Sequence, residues 1–470
     1  MKESRFIRLL ETFDKKEMNG FGHYLQCFHP KKERAILLYQ YLEKEYPRFP
    51  AKNLTLELMN QAVYENENVN PKNILNLLSN LYGWAKDFLI WQHQLNSPIK
   101  KELLWLDVLK NRQMDHEFKL QAELTTKTIE QQQASNIWDY LDRLNLYHQI
   151  WTHPSTQRHT PSFEVLDKSL DNLDRFYTTF KMNYEAEKLN RTHLYQNQSS
   201  KKTPAEHICH AGENQEDLLT RIAKLQLNLA KDQKEENYLQ LKNILFSYST
   251  QLAMQTQSIM LQHLINYTAA GIRGKHKSNF YKEAFQLYEY SLQAGLPIYN
   301  GPITSHTFSN IISTALWLDK TNWVEKFIDD YTPFIDPAVQ KQTELLARAH
   351  LAFHKKDHNS PYFRELQAII YTDPQHAIRV KTLILRNLYE GEEDKTVLLL
   401  FNNAFKKYLT RNKKLAGGIL ASCLNFTVCF RHLIMNRLTP IEFEKIVKKS
   451  NPMILSEWLL SHASKLDGKG

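Results

Sequence analysis

The stretch FSNIISTALWLDKTNWVEKFIDDYTPFI, residues 308–335, decides the fold. Its apolar spacing predicts a helix over 306–318 that ends at Leu318-Asp319-Lys320, and a second helix from Asn322 to Ile335. Trp323, Phe327 and Tyr331 stand four residues apart, so their rings share one helical face. Together with Trp317 and Phe334 they read as core packing against neighbouring helices; a stacking platform for nucleobases is the other use of such a cluster. Sustained alternation with a period of two is absent from the chain, which predicts an all-α protein.

The same pairing recurs downstream. A helix over 338–354, a turn at Lys355-Lys356-Asp357 and a helix over 361–371 form one pair. A helix over 375–389, a turn at Glu390-Gly391-Glu392-Glu393 and a helix over 394–409 form the next. Second helices thus begin near 322, 361 and 394, spaced 39 and 33 apart, and Ala349 follows Ala315 by 34 residues. With Ala315 and Leu316 before its turn and Trp323 to Phe327 after it, the opening stretch resembles a degenerate tetratricopeptide repeat that lacks the usual first-helix glycine. That resemblance implies an α-solenoid of antiparallel helix pairs over 271–470. RLLETFDKKEMNGFGHYL (8–25), LSNLYGWAKDFLIWQ (78–92) and NYTAAGIRGKHKSNFYKEAFQLYEYSLQAG (266–295) are together similar to a family of large helical proteins of Bacteroidetes bacteria, a resemblance that implies no activity.

Upstream of the array, residues 1–95 are expected to form an N-terminal helical bundle with breaks at Asp14, His29-Pro30, Tyr46-Pro47 and ENENVNP (65–71). Within it, Asn70 can cap and Pro71 can start a helix whose stripe is Ile74, Leu77, Leu78, Leu81, Trp84, Ala85, Phe88 and Trp91. Ser97-Pro98 repeats that start signal for a helix over 99–112. Residues 96–270 form a segment of longer helices, interrupted at HPSTQRHTPS (153–162) and QNQSSKKTP (196–204).

Composition agrees with helices joined by short turns. Thirteen glycines and sixteen prolines in 470 residues are each well below average usage, roughly 7% and 5%. Four cysteines, none in a C-x-x-C pair, exclude a disulfide framework and suggest a reducing compartment. MKESRFIRLLETFDKKE is charged from its second residue and lacks a signal peptide's apolar core, and no stretch reads as a transmembrane helix, so a cytoplasmic protein with no membrane contact is expected. Residues 401–470 hold twelve Lys/Arg against four Asp/Glu, which is +8 of the chain's net charge of +9.

Catalytic motifs fail one by one, and a non-catalytic chain is expected. GIRGKHKS (271–278) has two residues between its glycines where a phosphate loop needs four, and it follows a helical pattern where that loop needs a strand. It reads as a hinge: Gly271 takes the left-handed conformation past a helix end, and Gly274 allows a change of direction. His207, Cys209 and His210 lack a fourth ligand nearby except His193, so no metal or other cofactor is expected. His116-Glu117 has leucine at position 120 where a metalloprotease helix carries histidine. No G-x-S-x-G elbow occurs, and the acidic run 390–394 lacks the alternating ligands of a calcium loop.

Two sets of residues remain as candidates for binding. If first helices line a partner groove, Val380, Ile384 and Leu388 face the core while Arg379, Thr382 and Arg386 share the other side, with Arg348 and Asn310 in comparable places. Arginine forks match carboxylates, so a carboxylate-bearing peptide of a protein partner suits Asn310, Arg348, Arg379 and Arg386. Alternatively Lys406, Lys407, Arg411, Lys413 and Lys414, followed by Arg431, Arg437, Lys445, Lys448 and Lys449, bind nucleic acid through phosphates, or serve only as the polar cap that a soluble array needs at its end.

Overall fold

A computed structural model describes residues 4–64, 70, 72–95, 97–154, 163–195, 217–272, 277–299, 301–371, 373–412, 415 and 417–466. Among these residues there are 23 α-helices and no β-strand, so the chain is all-α. It divides into two compact units, residues 1–133 with 141–173, and residues 134–140 with 174–470. The division expected at 95/96 falls inside the first unit and that at 270/271 inside the second.

The first unit begins with α1 (Arg5–Leu10), α2 (Lys15–Phe28), α3 (Glu33–Lys44), α4 (Leu56–Tyr64) and α5 (Lys72–Leu95). Asp14 starts α2 with a capping box: its carboxylate accepts from the Glu17 amide at 2.7 Å, and Glu17 accepts from the Asp14 amide at 2.9 Å. Asn70 accepts from the Lys72 amide at 2.9 Å, as the start signal before α5 requires. On α5 the stripe Ile74, Leu78, Leu81, Ala85 and Phe88 is buried in a core shared with Phe6, Phe21 and Tyr39, whereas Trp91 is exposed. Helices α6 (Pro98–Asn111) and α7 (Asp115–Gln131) pack on each other through Leu103, Leu106, Leu109 and Phe118. Two helices, α8 (Trp138–Thr152) and α9 (Phe163–Tyr195), contribute residues to both units.

The second unit continues with α10 (Leu218–Asp232), α11 (Glu235–Ser247), α12 (Met254–Ile272), α13 (Lys277–Gln293) and the short α14 (Leu296–Tyr299). Asp217 caps α10 by accepting from the Thr220 amide at 2.9 Å. Gly271 lies inside α12 rather than past its end, and its φ is not left-handed. A Cβ there would sit 2.5 Å from the Phe280 ring of α13. The glycine therefore permits close packing of α12 on α13 and is not a hinge; residues 273–276, including Gly274, lie outside the described residues.

Three helix hairpins follow: α15 (Ser305–Trp317) with α16 (Thr321–Tyr331), α17 (Gln340–His354) with α18 (Pro361–Ala368), and α19 (Pro374–Glu390) with α20 (Lys395–Arg411). Each first helix closes in the same way. Asp319, Lys356 and Glu392 adopt φ of 58°, 59° and 59°. The next amide in each case reaches back five residues: Lys320 to the Ala315 carbonyl at 3.0 Å, Asp357 to Ala352 at 2.9 Å, and Glu393 to Leu388 at 3.0 Å. These are Schellman closures at residues 319, 356 and 392, that is 37 and 36 residues apart. By that measure the counterpart of Ala315 is Ala352, not Ala349. Helix α16 stops at Tyr331 rather than Ile335, because Pro333 lacks an amide donor and Thr332–Phe334 tightens into a 3-10 turn. Helix α18 stops at Ala368 rather than residue 371, and the Leu366 carbonyl accepts from both the Ile369 amide at 3.4 Å and the Tyr371 hydroxyl at 2.7 Å.

First helices pack on first helices, α13 on α15, α15 on α17 and α17 on α19. The chain finishes with α21 (Gly417–Met435), α22 (Pro440–Lys449) and α23 (Ser456–Ser461). One stretch of α21, Gly418–Met435, is long and apolar enough to cross a membrane, with mean hydropathy 1.4 over 18 residues, contrary to expectation. Cys423, Phe426, Cys429, Phe430 and Leu433 on it are buried against Phe405, Phe443 and Leu459, so the apolar run forms the centre of the last core.

Candidate binding site

Helix α19 carries the site. Asp373 starts it by accepting from the Gln375 and His376 amides at 3.2 and 3.0 Å, with Pro374 at the first helical position. Because α17 and α20 both pack on α19, its buried face is wide: Val380, Thr382, Leu383 and Ile384 are all interior. Thr382 was expected beside the arginines; it is instead buried, its hydroxyl donating to the Ile378 carbonyl at 2.8 Å. Arg379 and Arg386 keep partial solvent contact. They stand seven residues apart on this helix, two turns and about 10 Å along the axis.

Arg379 Nη2 donates to Asn310 Oδ1 on α15 at 3.0 Å, which joins two of the expected partner-binding residues. The Arg386 guanidinium lies over the Phe353 ring of α17, 4.9 Å from its centre. Arg386 makes no ion pair and no hydrogen bond among the described residues, and its Nε is buried without a partner. His376 is buried beside the Gln342 backbone. The carboxylates whose fields reach the two arginines stand at the two ends of α19. Asp373 is engaged in the cap and lies 3.8 Å from His306, while Glu390 accepts from Trp458 Nε1 at 2.6 Å and lies 3.8 Å from His462.

Burial lowers the Arg386 pKa to about 10, an effect that Glu390 opposes. Burial also lowers Arg379, against the fields of Asp373 and Tyr288. His350 on α17 is driven down to about 3, first by burial and then by Arg386, Arg379 and His376. His376 is lowered for the same first reason, with Asp373 opposing and Arg379 adding. At neutral pH the cluster therefore presents two guanidinium charges and two uncharged imidazoles. Such groups can donate hydrogen bonds to an anion; they do not form a nucleophile-and-base pair.

Arg348 stands apart from this cluster. It donates to Asp329 and Glu344, both at 2.9 Å, so its charge is already compensated. Lys406, Lys407 and Arg411 of the alternative nucleic-acid set are exposed and make no ion pair among the described residues, while Lys413 and Lys414 lie outside them. Of the basic residues that follow, Lys448 pairs with Glu444 at 3.0 Å. In the aromatic cluster, Phe327 is buried, with Trp323 and Tyr331 stacked on either side of it at 5.3 and 5.1 Å. Trp317 and Phe334 are exposed instead, Trp317 stacking on Tyr281 at 4.1 Å. His207, Cys209 and His210 lie outside the described residues, as does the His193 side chain.

Periodicity alone does not single out His350 and His376. A signal for one of them exists: measured from the left-handed turn residues, His350 and Arg386 occupy equivalent places, each six residues before the turn, as do His306 and Arg379 at thirteen. The position that offers arginine in one hairpin thus offers histidine in an earlier one. No protein-family model, curated protein or solved structure matches the chain.

Proposed function

We propose that the chain is a tetratricopeptide-like helical-repeat scaffold, without catalysis of its own, that holds a protein partner along α15, α17 and α19. Three hairpins closed by the same turn, with successive first helices in contact, support the repeat reading. The observation that carries the binding reading is Arg386, a partly buried guanidinium that makes no hydrogen bond or ion pair among the described residues and is offset only by the field of Glu390, since a charge so little compensated is costly to the fold alone. Affinity capture compares the wild-type chain, Arg348→Gln, and a chain carrying both Arg379→Gln and Arg386→Gln. A protein retained by the first two and lost by the third is expected; undiminished recovery by the third contradicts the proposal.

Lys406, Lys407 and Arg411, exposed and without an ion pair among the described residues, support a second reading, salt-dependent binding of nucleic acid. It expects a mobility shift with random DNA or RNA in about 50 mM salt, where phosphate contacts are strong. Absence of a shift there leaves these side chains as the solvated end of the array.

A further inference from the structure

Arg379 and Arg386 are spread along two turns of α19 and are not gathered at one point. A single small anion bonded to one guanidinium would leave the other as it is. A ligand that satisfies both must carry charge at more than one place along its length. The two imidazoles nearby, His350 and His376, are held neutral by burial and by the arginines, so the positive charge to be matched is one unit per arginine. Asp373 and Glu390 flank the arginines at the two ends of α19 and would repel a group of higher negative charge. A carboxylate meets both conditions: it bears one charge, and its two oxygens fit the guanidinium fork. The Phe353 ring beneath Arg386 holds the guanidinium in place through a cation–π contact.

On these grounds we propose that the face of α19 carrying Arg379 and Arg386, with Asn310 of α15 and His350 of α17, takes an acidic peptide segment whose carboxylates engage the two arginines one by one. The inference rests on the partner-binding reading above and names the chemistry of the segment that is held. Asn310 orients Arg379 through the 3.0 Å bond and is a positioning residue, while Arg386, free of any such bond, is the group whose environment changes most on binding.

The test uses the full chain and a fluorescent oligoglutamate peptide, followed by anisotropy, with inorganic phosphate as competitor. Binding is expected to weaken about 10- to 100-fold in Arg386→Gln and in Arg379→Gln, the loss of one charge-assisted contact each, and to be unchanged in Arg348→Gln. Arg386→Lys keeps the charge without the fork and is expected to fall between wild type and Arg386→Gln; thermal unfolding of each variant separates lost binding from lost fold. Absence of peptide binding by the wild type, equal affinity in all the variants, or displacement of the peptide by millimolar phosphate as effective as by free peptide overturns the proposal. If the partner is captured through the two arginines while oligoglutamate does not bind, the scaffold reading stands and the acidic-segment inference fails. If oligoglutamate binds through them and no partner is captured, the scaffold reading is the one that fails.

Discussion

At the scale of single residues, burial decides what each polar group does, and burial is what periodicity reports least well. His263 on α12 is interior, its Nδ1 lies 3.0 Å from the Asn190 amide, and burial lowers its pKa to about 4. A histidine whose folded pKa lies below its unfolded value of about 6.5 binds its proton more readily in the unfolded chain. Stability is then complete above about pH 6.5 and is lost as pH falls toward 4, by on the order of 3 kcal/mol for a full shift of this size. Denaturant unfolding at stepped pH is expected to show this loss, and His263→Gln to reduce it; an equal acid loss in the variant contradicts the assignment. Gly271 makes a second test. Adding its Cβ forces the Phe280 ring to move, so Gly271→Ala is expected to lower stability by about 1–3 kcal/mol, and by less in a chain that also carries Phe280→Ala. Asn310, Arg379 and Arg386 were visible in the sequence as polar positions on predicted first helices. That Arg348 is spent on Asp329 was not, because Asp329 belongs to another helix and only packing brings the two together.

Among helices and turns, the sequence is most legible where a local rule acts. Helix starts at Asp14, Asn70 and Pro98 follow from caps and first-turn prolines, which need no tertiary contact. The apolar pattern overshoots the ends of α16 and α18, since apolar residues continue past the point where the backbone leaves the helix. The closing turns are legible in the sequence but their conformation is not, because none of Asp319, Lys356 and Glu392 is glycine. A non-glycine residue in the left-handed region is strained by about 1 kcal/mol. Lys356 is exposed and its φ is 59°, so Lys356→Gly is expected to raise stability by about 0.5–1 kcal/mol, measured by chemical unfolding. A loss of stability would mean that the lysine side chain contributes something beyond its backbone. Apolar α21 shows the converse limit: the same composition suits a membrane span or the centre of a helical core, and only contacts such as those of Phe426 and Phe430 with Phe405 and Phe443 distinguish them.

At the scale of the molecule, the all-α class follows from periodicity repeated over hundreds of residues, where errors at single positions average out. The uneven charge was equally plain in the sequence, with Lys406, Lys407 and Arg411 on the surface as the composition of the last segment implied. The binding face was only half legible. Its arginines lie on a predicted helix, but the absence of any hydrogen bond or ion pair to Arg386 among the described residues, with Glu390 acting on it only through its field, depends on how α17 and α19 meet. That absence carries the central claim, that Arg386 is kept for a ligand and not for the fold. Burial without a partner costs the folded chain on the order of 1–2 kcal/mol once the side chain's partial solvent contact is allowed for, more than one ring contact with Phe353 returns. The most direct measurement is the equilibrium unfolding of Arg386→Met, which keeps the length and apolar stem of the side chain and removes its charge. An unfolding free energy equal to or above that of the wild type is expected; a loss of 1 kcal/mol or more, in the range of an ordinary stabilising contact, would mean that Arg386 serves the fold.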